Sequence, residues 1–397
     1  MEDYILGVLR FLTAGESHGQ ALTSIIEGIP SNLKISTDFI NRELARRQKG
    51  YGRGGRMKIE KDKAEILSGV RFGLTLGSPI TLLIKNKDWE NWTDIMAVEG
   101  DKTDKREITN PRPGHADLVG GIKYNFTDLR NVLERASARE TAARVAVGAV
   151  CKQLLEDIGI KIGSYVISIG GLKVSDKYLN LSLEERFKNA EISEVRIPLP
   201  EEDDKFKKFI DKAKEDGESL GGVFTVFATG VPMGLGSYVQ WDRRLDGRIA
   251  QAMMSIQAIK GVEIGEGFKV ADKFGSEAHD EIFWDEERGF YHKTNRAGGL
   301  EGGMTNGEPI LVNVAMKPIP TLMRQKSLKS VNIKTKEPFL AAKERSDITA
   351  VPAAAVVGEA MLSIVLANAI LEKFGNDNWL EIKKRIEEYR EYTKNPF

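Results

Sequence analysis

Two segments rich in small residues restrict the fold of this chain more than any other sequence feature. The first is the middle of a helix predicted over 127–158, which reads SARETAARVAVGAV, and the second is a helix predicted over 350–374. Small side chains allow a helix to approach its neighbours closely, so both helices are expected near the centre of the molecule. The runs ERASARETAARVAVG and ERSDITAVPAAAVVG also resemble each other. This is typical of two units related by a pseudo-twofold axis, although so short a similarity also arises by chance.

The other patterns mix strands and helices without a regular alternation. Apolar runs and alternating residues predict strands at 8–13, 56–60, 78–86, 223–231 and 309–317. Helical spacing predicts further helices at 31–48, 245–259 and 377–393. No Ser/Pro-rich linker or low-complexity tract divides the 397 residues, so we predict one α+β domain over 1–397.

Charge and cysteine content limit the class of protein. Lys+Arg and Asp+Glu both number 58, which disfavours a globally basic nucleic-acid-binding protein but leaves a local basic site open. Cys151 is the single cysteine, so it forms no intramolecular disulfide, and its apolar helical surroundings predict a buried thiol in a reducing compartment. No cysteine–histidine spacing suggests a metal site. We expect no signal peptide, no membrane span and a cytoplasmic protein.

The stretch GESHG at 15–19 matches G-x-S-x-G, the elbow that carries the nucleophile of serine hydrolases. Such an elbow follows a strand of a parallel sheet, and its acid and histidine partners come later in the chain. Ser17 has room for only one strand before it, and no strand–helix alternation follows. A serine hydrolase is therefore disfavoured, although His115, His279 and His292 could each supply a histidine.

The glycine-rich stretch GYGRGG at 50–55 matches a dinucleotide-binding loop only formally. The Rossmann fingerprint follows a strand and opens a helix, whereas here a predicted helix precedes the loop and a predicted strand follows it. Arginines 46, 47, 53 and 56 surround the glycines, and this combination suits phosphate or carboxylate binding. The alternatives are a solvated basic loop and a nucleic-acid-binding segment, although such segments usually contain repeats and aromatic residues.

Turns that combine glycine, proline or a helix start with charged side chains recur along the chain. They are found at Arg112 and His115, at Ser137 and Arg139, at Lys317, and at Arg345 and Asp347. Each has a simpler interpretation, because Asp347 can cap a helix, His115 can be a turn residue and Arg139 a surface charge. Together they predict a cationic pocket with two histidines, suited to a small molecule that carries phosphate and carboxylate groups.

Eight stretches, taken in order, resemble the chorismate synthase family. They are LTAGESHGQAL, RRQKGYGRGGRMKIE, RPGHADLVGGIKY, ERASARETAARVAVGAV, GLGSYVQWDRRLD, GGLEGGMTNGEPI, MKPIPTL and ERSDITAVPAAAVVGEA. Each stretch alone is moderately specific, whereas eight in order, over about residues 11–393, are very specific. The resemblance implies a lyase that converts 5-enolpyruvylshikimate 3-phosphate to chorismate and phosphate by 1,4-anti elimination, the last step of the shikimate pathway. It also implies a requirement for reduced FMN, although the reaction has no net redox change.

The resemblance also implies roles for individual residues. His18 corresponds to a histidine that protonates the leaving phosphate, His115 to one beside the flavin, and Asp347 to an acid that assists the final deprotonation. The implied substrate-binding residues are Ser17, Arg47, Arg53, Arg139 and Arg345. The implied FMN-binding residues are Ser137, Ala138, Gln257, Ala258, Lys317, Thr321 and Arg345.

The family fold implied is a β-α-β sandwich, with central helices between two antiparallel sheets and internal pseudo-symmetry. The family usually forms homotetramers, and some members reduce FMN themselves with NADPH. We expect an external flavin reductant here, because no stretch of the sequence indicates a nicotinamide site. Residues 1–10 precede the usual start of the family pattern and are interpreted as an N-terminal extension.

Overall fold

The computed structural model describes residues 8–53, 61–101, 103–322, 328–342 and 347–397. The strand predicted at 56–60 and most of the N-terminal extension lie outside the described residues. Within them, helices and small antiparallel sheets are mixed, which confirms the predicted α+β class.

The described strands and helices follow in chain order. The strands are β1 (Arg10–Ala14), β2 (Ala21–Glu27), β3 (Ala64–Ile66), β4 (Val70–Arg71), β5 (Leu74–Thr75), β6 (Ile80–Lys85), β7 (Lys161–Ile169), β8 (Leu172–Lys173), β9 (Gly222–Thr229), β10 (Ile259–Ile264), β11 (Ile282–Asp285), β12 (Gly289–His292), β13 (Leu300–Glu301), β14 (Met304–Thr305), β15 (Ile310–Met316), β16 (Lys329–Val331) and β17 (Pro338–Leu340). The α-helices are α1 (Thr37–Gln48), α2 (Asp117–Tyr124), α3 (Arg130–Ala136), α4 (Thr141–Glu156), α5 (Leu183–Ile192), α6 (Asp203–Glu215), α7 (Leu245–Met254), α8 (Gly275–Ala278), α9 (Val351–Phe374) and α10 (Trp379–Lys394). Short 3₁₀ helices lie at Lys87–Asn91, Ala138–Glu140, Asp176–Asn180, Pro200–Glu202, Trp241–Arg243 and Gly267–Asp272.

Two larger sheets organise the molecule, and both are antiparallel. The first has the strand order β1-β2-β6-β3, and the second has the order β10-β15-β9-β7-β8. Buried and more exposed residues alternate along β2 and β6, as expected for strands with one face on a core. Most of β7 is buried, because α9 and α5 both pack against it.

The two small-residue helices lie at the core of the structure. Helix α4 packs on β2 and β6 of the first sheet, α9 packs on β7 and β9 of the second, and the two helices pack on each other. A Cβ atom built on Gly148 would lie 2.4 Å from Cβ and 2.5 Å from Cα of Ala360. The two backbones therefore approach at a distance that only glycine allows.

The helix predicted over 127–158 is interrupted, which corrects that prediction. Ser137 has an extended backbone (φ −62°, ψ 141°) that separates α3 from the 3₁₀ turn and α4. Its side chain accepts a hydrogen bond from the Arg139 backbone N–H at 3.2 Å. Serine side chains compete in this way with helical backbone bonds and favour helix starts. Similarly, the predicted 31–48 helix begins only at Thr37, where Ser36 caps it.

A buried cluster of charged side chains joins α1, α4, α9 and β7. Glu359 is 1% exposed and accepts hydrogen bonds from Arg46, Lys152, Ser164 and Arg196 at 2.6–2.9 Å. Burial alone would raise the pKa of Glu359, but the three surrounding cations hold it well below its usual range. Because these charges are paired in the interior, loss of one partner would leave an uncompensated buried charge.

Helix α9 is long and apolar enough to cross a membrane, and it is the one described helix with that property. In its most apolar 18-residue window, 89% of the residues are buried inside the protein. It is therefore a core helix, in agreement with the prediction. Cys151 is also buried, as predicted, and burial raises the pKa of its thiol to about 12.

The contact at Gly148 can be tested by adding one methyl group. We expect Gly148→Ala to destabilise the protein by about 1–3 kcal/mol, because the new Cβ atom forces α4 and α9 apart. The measurement is the free energy of unfolding in urea. The matched control is Gly247→Ala, at a helical glycine with no atom within 4 Å of a built Cβ. That variant should keep or raise stability, by up to about 1 kcal/mol. Equal stabilities for the two variants would contradict the close contact.

Candidate active site

A cavity of about 1290 Å³ collects the residues predicted for the site. Those that line it are Ser17, His18, Arg47, Arg53, His115, Ser137, Ala138, Arg139, Gln257, Ala258, Lys317, Thr321 and Asp347. Arg345 lies outside the described residues. Positions more than 300 residues apart in the chain therefore meet in one cavity, although their individual roles stay predictions.

Helices and strands of the core begin or end at this cavity. Helix α4 and the turn before it begin there, and so does α9, whose first turn follows Asp347 and Ala350 on the cavity wall. Two helix N-termini with their positive dipole ends thus face the same space. Arg47 comes from the last turn of α1, and Lys317 follows the end of β15.

Arg139 is held by buried polar groups behind the cavity wall. Its Nη1 atom donates to both carboxylate oxygens of Asp62 at 2.6 and 2.7 Å, and its Nε and Nη2 atoms donate to Asn86 Oδ1 at 3.0 and 2.8 Å. Asn86 in turn donates to the backbone oxygens of Glu16 and Gly19. This network ties the guanidinium to the loop between β1 and β2.

Arg47 lies beside Arg139, and burial and the neighbouring positive charges disfavour its charged form. Its Nε donates to Thr141 Oγ1 at 3.0 Å and its Nη2 to the Ala138 carbonyl at 2.9 Å. Burial lowers the pKa of Arg47 to about 9, and the charges of Arg53 and Arg139 contribute, although Asp62 opposes the shift. An anion bound between these guanidinium groups would favour the charged form of Arg47.

Arg53 and Asp347 connect the glycine-rich loop to the start of α9. Arg53 Nε lies 3.1 Å from Asp347 Oδ2, and the Ile348 backbone N–H donates to the Gly52 carbonyl at 2.8 Å. Gly52 has a φ of +80°, and a Cβ atom there would lie 2.9 Å from Ile210. Asp347 therefore acts as an ion-pair partner, while Ala350 occupies the N-cap position of α9.

His18 is fixed by a carboxylate and by an aromatic ring. Glu134 accepts from the His18 backbone N–H at 2.8 Å and from its Nδ1 at 2.9 Å. The imidazole stacks on Trp92 with ring centroids 3.8 Å apart. Arg130 donates to Glu134 at 3.0 Å. Burial alone would raise the pKa of Glu134, but His18 and Arg130 lower it below its usual range.

His115 has a similar carboxylate partner close by in the sequence. Its Nδ1 lies 2.6 Å from Asp117 Oδ1, and Arg112 Nη2 lies 3.1 and 3.3 Å from its two ring nitrogens. Arg112 also donates to Asp117 through Nε at 2.8 Å. Burial alone would raise the pKa of Asp117, but His115 and Arg112 hold it well below its usual range.

The residues predicted to bind FMN lie on two walls of the cavity. Ser137 donates to Ser17 Oγ at 3.2 Å, and Ala138 follows it. On the other wall, Gln257 donates to Glu140 at 3.2 Å, while its Oε1 atom is buried without a hydrogen-bond partner.

The next residue on this wall, Ala258, has a φ of +68°, which is rare for alanine and often marks a functional position. Its carbonyl accepts a hydrogen bond from the Lys317 backbone N–H at 2.9 Å. Lys317 Nζ donates to the Gly114 carbonyl, and Thr321 Oγ1 lies 3.4 Å from Arg112 Nη1. These contacts connect the part of the cavity wall formed by Gln257 and Ala258 to the turn that carries His115.

The geometry around Ser17 differs from that of a hydrolase elbow. Ser17 lies in a loop between β1 and β2, which pair antiparallel, and a nucleophile elbow joins a strand to a helix. The glycine-rich loop likewise follows α1 directly, which differs from the strand-to-helix order of a Rossmann loop.

Several residues that hold the site together were missed by the sequence reasoning. They are Asp62, Asn86, Trp92, Asp117, Arg130 and Glu134. Asp117 follows His115 by two positions and Glu134 begins the motif ERASARE, so both were accessible to a search for carboxylates near the predicted histidines. Asp62, Asn86 and Trp92 lie in stretches that carry none of the motifs described above, and only the fold brings them to the site.

Comparisons with known proteins bear on the family of the whole chain. A family model described as chorismate synthase matches residues 9–371. The chain is 75% identical over 389 residues to a chorismate synthase of Sulfurihydrogenibium sp. (strain YO3AOP1), covering 98% of this chain and 100% of that protein. It is 65% identical over 399 residues to that of Aquifex aeolicus (strain VF5), covering 98% and 99%. A crystal structure of chorismate synthase aligns with a TM-score of 0.79 at 56% identity, covering 97% of this chain and 98% of that chain. The chain belongs to the chorismate synthase family.

Proposed function

We propose that this protein converts 5-enolpyruvylshikimate 3-phosphate to chorismate and phosphate by 1,4-anti elimination with reduced FMN, as a carbon–oxygen lyase. The observation that carries the proposal is the charge of the cavity. Among the described residues that line it, seven are Arg or Lys and three are Asp or Glu. A substrate with one phosphate and two carboxylates is complementary to such a wall.

The arginines are proposed to bind the phosphate and carboxylates. Arg47, Arg53 and Arg139 are each 10% exposed or less in their side chains, so an anion between them is shielded from water and attracted strongly. The lowered pKa of Arg47 supports this assignment, because an added anion favours its charged form. The same groups would stabilise the charge that develops on the departing phosphate. Ser17 and Arg345 are proposed to assist, as the family pattern implies.

The two histidines are proposed to handle protons. His18 would donate a proton to the leaving phosphate, and His115 would hold or supply a proton beside the flavin. Imidazole suits both tasks, because its pKa of roughly 6.5 lies near cellular pH. Asp347, held by Arg53, would assist removal of the C6 proton. Their location in one cavity supports this division of roles.

The cavity also suits FMN next to the substrate. Its volume of about 1290 Å³ exceeds the ~300–1,000 Å³ usual for one small ligand. The buried Gln257 Oε1 atom lacks a hydrogen-bond partner, and an N–H group of the flavin would satisfy it. Ser137, Ala138, Ala258, Lys317 and Thr321 would hold the rest of the cofactor. Reduced FMN, when bound, supplies the transient electron that the elimination needs.

Further properties are proposed from the sequence and from the family together. These are a single domain over 1–397 with an N-terminal extension, a pseudo-symmetric β-α-β sandwich, a homotetramer, a cytoplasmic location and an external flavin reductant. The packing of α4 and α9 between two antiparallel sheets supports the sandwich. We propose no nucleic-acid or membrane partner, because the cationic groups line a cavity of small-molecule size and the one described helix apolar enough to cross a membrane is buried in the core.

The proposed reaction can be tested under anaerobic conditions. Protein mixed with 5-enolpyruvylshikimate 3-phosphate and dithionite-reduced FMN should form chorismate and release phosphate. The control replaces reduced FMN by oxidised FMN, and no product should form. Phosphate release that proceeds equally well without flavin would contradict the proposal.

The histidine roles are tested by substitution. His18→Ala and His115→Ala should each lower turnover by roughly 10–10⁴-fold, the range typical of general acid–base groups. His279→Ala is the matched control, because His279 does not line the cavity, and it should retain normal turnover. Near-normal rates in both cavity variants would remove histidine from the mechanism.

The placement of FMN is tested at Gln257. Gln257→Leu should weaken FMN binding by about 2–10-fold, the effect of one lost hydrogen bond of about 0.5–1.5 kcal/mol. Quenching of flavin fluorescence on titration measures the affinity. Gln251→Leu, at an exposed position of α7, is the control and should leave the affinity unchanged. Equal affinities for both variants would place the flavin elsewhere.

A further inference from the structure

The carboxylate of Glu134 holds His18 at two points. Glu134 lies in α3, 116 residues after His18 in the chain, and is 2% exposed. Its Oε2 atom accepts from the His18 backbone N–H at 2.8 Å, and its Oε1 atom lies 2.9 Å from ring Nδ1. The Ser17 backbone N–H also donates to the backbone carbonyl oxygen of Glu134 at 2.9 Å. One buried residue therefore sets both the position of this loop and the rotation of the imidazole.

The surroundings of Glu134 determine which ring nitrogen carries a proton. Arg130 donates to Glu134 Oε1 at 3.0 Å, and the pKa of Glu134 is lowered although burial opposes this. Glu134 is therefore a carboxylate that only accepts hydrogen bonds. A short contact between this carboxylate and Nδ1 requires a proton on Nδ1. Trp92, stacked on the ring at 3.8 Å with an interplanar angle of 20°, restricts its plane.

We propose that Glu134 is a positioning residue that keeps a proton on Nδ1 of His18 and confines proton exchange with a ligand to Nε2. The inference deepens the proposed function and rests on the role of His18 in it. In that reaction the Nε2–H bond of the His18 imidazolium breaks, its electron pair stays on Nε2, and the proton joins an oxygen of the leaving phosphate. The neutral ring that remains carries its proton on Nδ1, which is the tautomer that Glu134 stabilises. His18 is then ready to be protonated again at Nε2 without rotating.

His115 provides a comparison within the same protein. Asp117 lies 2.6 Å from its Nδ1, but the guanidinium of Arg112 approaches both ring nitrogens. At His18, both carboxylate oxygens of Glu134 lie close to Nδ1, at 2.9 and 3.0 Å. The two histidines should therefore give different signals in one spectrum.

The tautomer of His18 can be measured directly by ring ¹⁵N NMR. The chain has four histidines, so labelled histidine gives a small set of signals, and His18→Ala identifies those of His18. In the unaltered protein, neutral His18 should show a protonated Nδ1 and an unprotonated Nε2. This readout requires neither substrate nor FMN. The opposite tautomer would overturn the proposal, even in a fully active protein.

Substitution of Glu134 separates positioning from simple stability. In Glu134→Gln the charged acceptor is lost, so the proton should redistribute between the two ring nitrogens. The kcat of folded protein should fall at least about 10-fold, as for the loss of a general acid, while KM changes little. Glu134→Asp keeps the carboxylate and should recover part of the lost kcat. If Glu134→Gln does not fold, Glu134→Asp and the unaltered protein still carry the test.

The control variant is Glu372→Gln. Glu372 accepts two hydrogen bonds from Arg248 at 2.9 and 2.7 Å and does not line the cavity, so kcat and the His18 signals should be unchanged. An unchanged kcat in folded Glu134→Gln would contradict the positioning role. An unaltered protein that forms no chorismate would contradict the proposed function, whereas the tautomer measurement would still decide the role of Glu134.

Discussion

The close contact of α4 and α9 is the constraint on which the site depends. Because Gly148 faces Ala360 with no room for a Cβ atom, the two helices lie side by side between the sheets they pack on. Both helices begin at the same cavity. The segments that lead into them, together with the end of α1, bring Arg47, Arg139 and Asp347 to one cavity. A wider separation of the helices would open the wall that these residues form.

The charged side chains of the site form two layers. Cations predominate on the surface that faces the cavity, while carboxylates such as Asp62, Asp117 and Glu134 lie behind them and are almost fully buried. Each carboxylate holds an arginine, and two of them also hold a histidine. Arg112, Arg130 and Arg139 are thereby held from behind, whereas Arg53 is paired with Asp347 on the cavity wall itself. This arrangement is suited to a polyanionic ligand, because the charges that bind it need little reorganisation.

The sequence predicted the α+β class, the described strands β1, β6, β9 and β15, and part of the set of residues that line the cavity. Those predictions depended on local patterns, since apolar patterns identify β6 and α9 and charged turns identify His115. The interruption of the 127–158 helix was missed, because the effect of the Ser137 side chain on the backbone competes with strong helical periodicity. Asp62 and Asn86 could not be found, because their importance comes from contacts with Arg139 across 77 and 53 residues. Long-range pairing of this kind leaves no signal in a short stretch of sequence.

The central proposal is that one cavity holds the substrate phosphate, the flavin and both histidines. A crystal structure with oxidised FMN and 5-enolpyruvylshikimate 3-phosphate bound together tests this most directly. We expect the phosphate to lie between Arg47, Arg53 and Arg139. His18 should lie within hydrogen-bonding distance of this phosphate, and Gln257 should form a hydrogen bond with the flavin. Ligands bound on a different surface, or a phosphate that contacts none of these guanidinium groups, would contradict it.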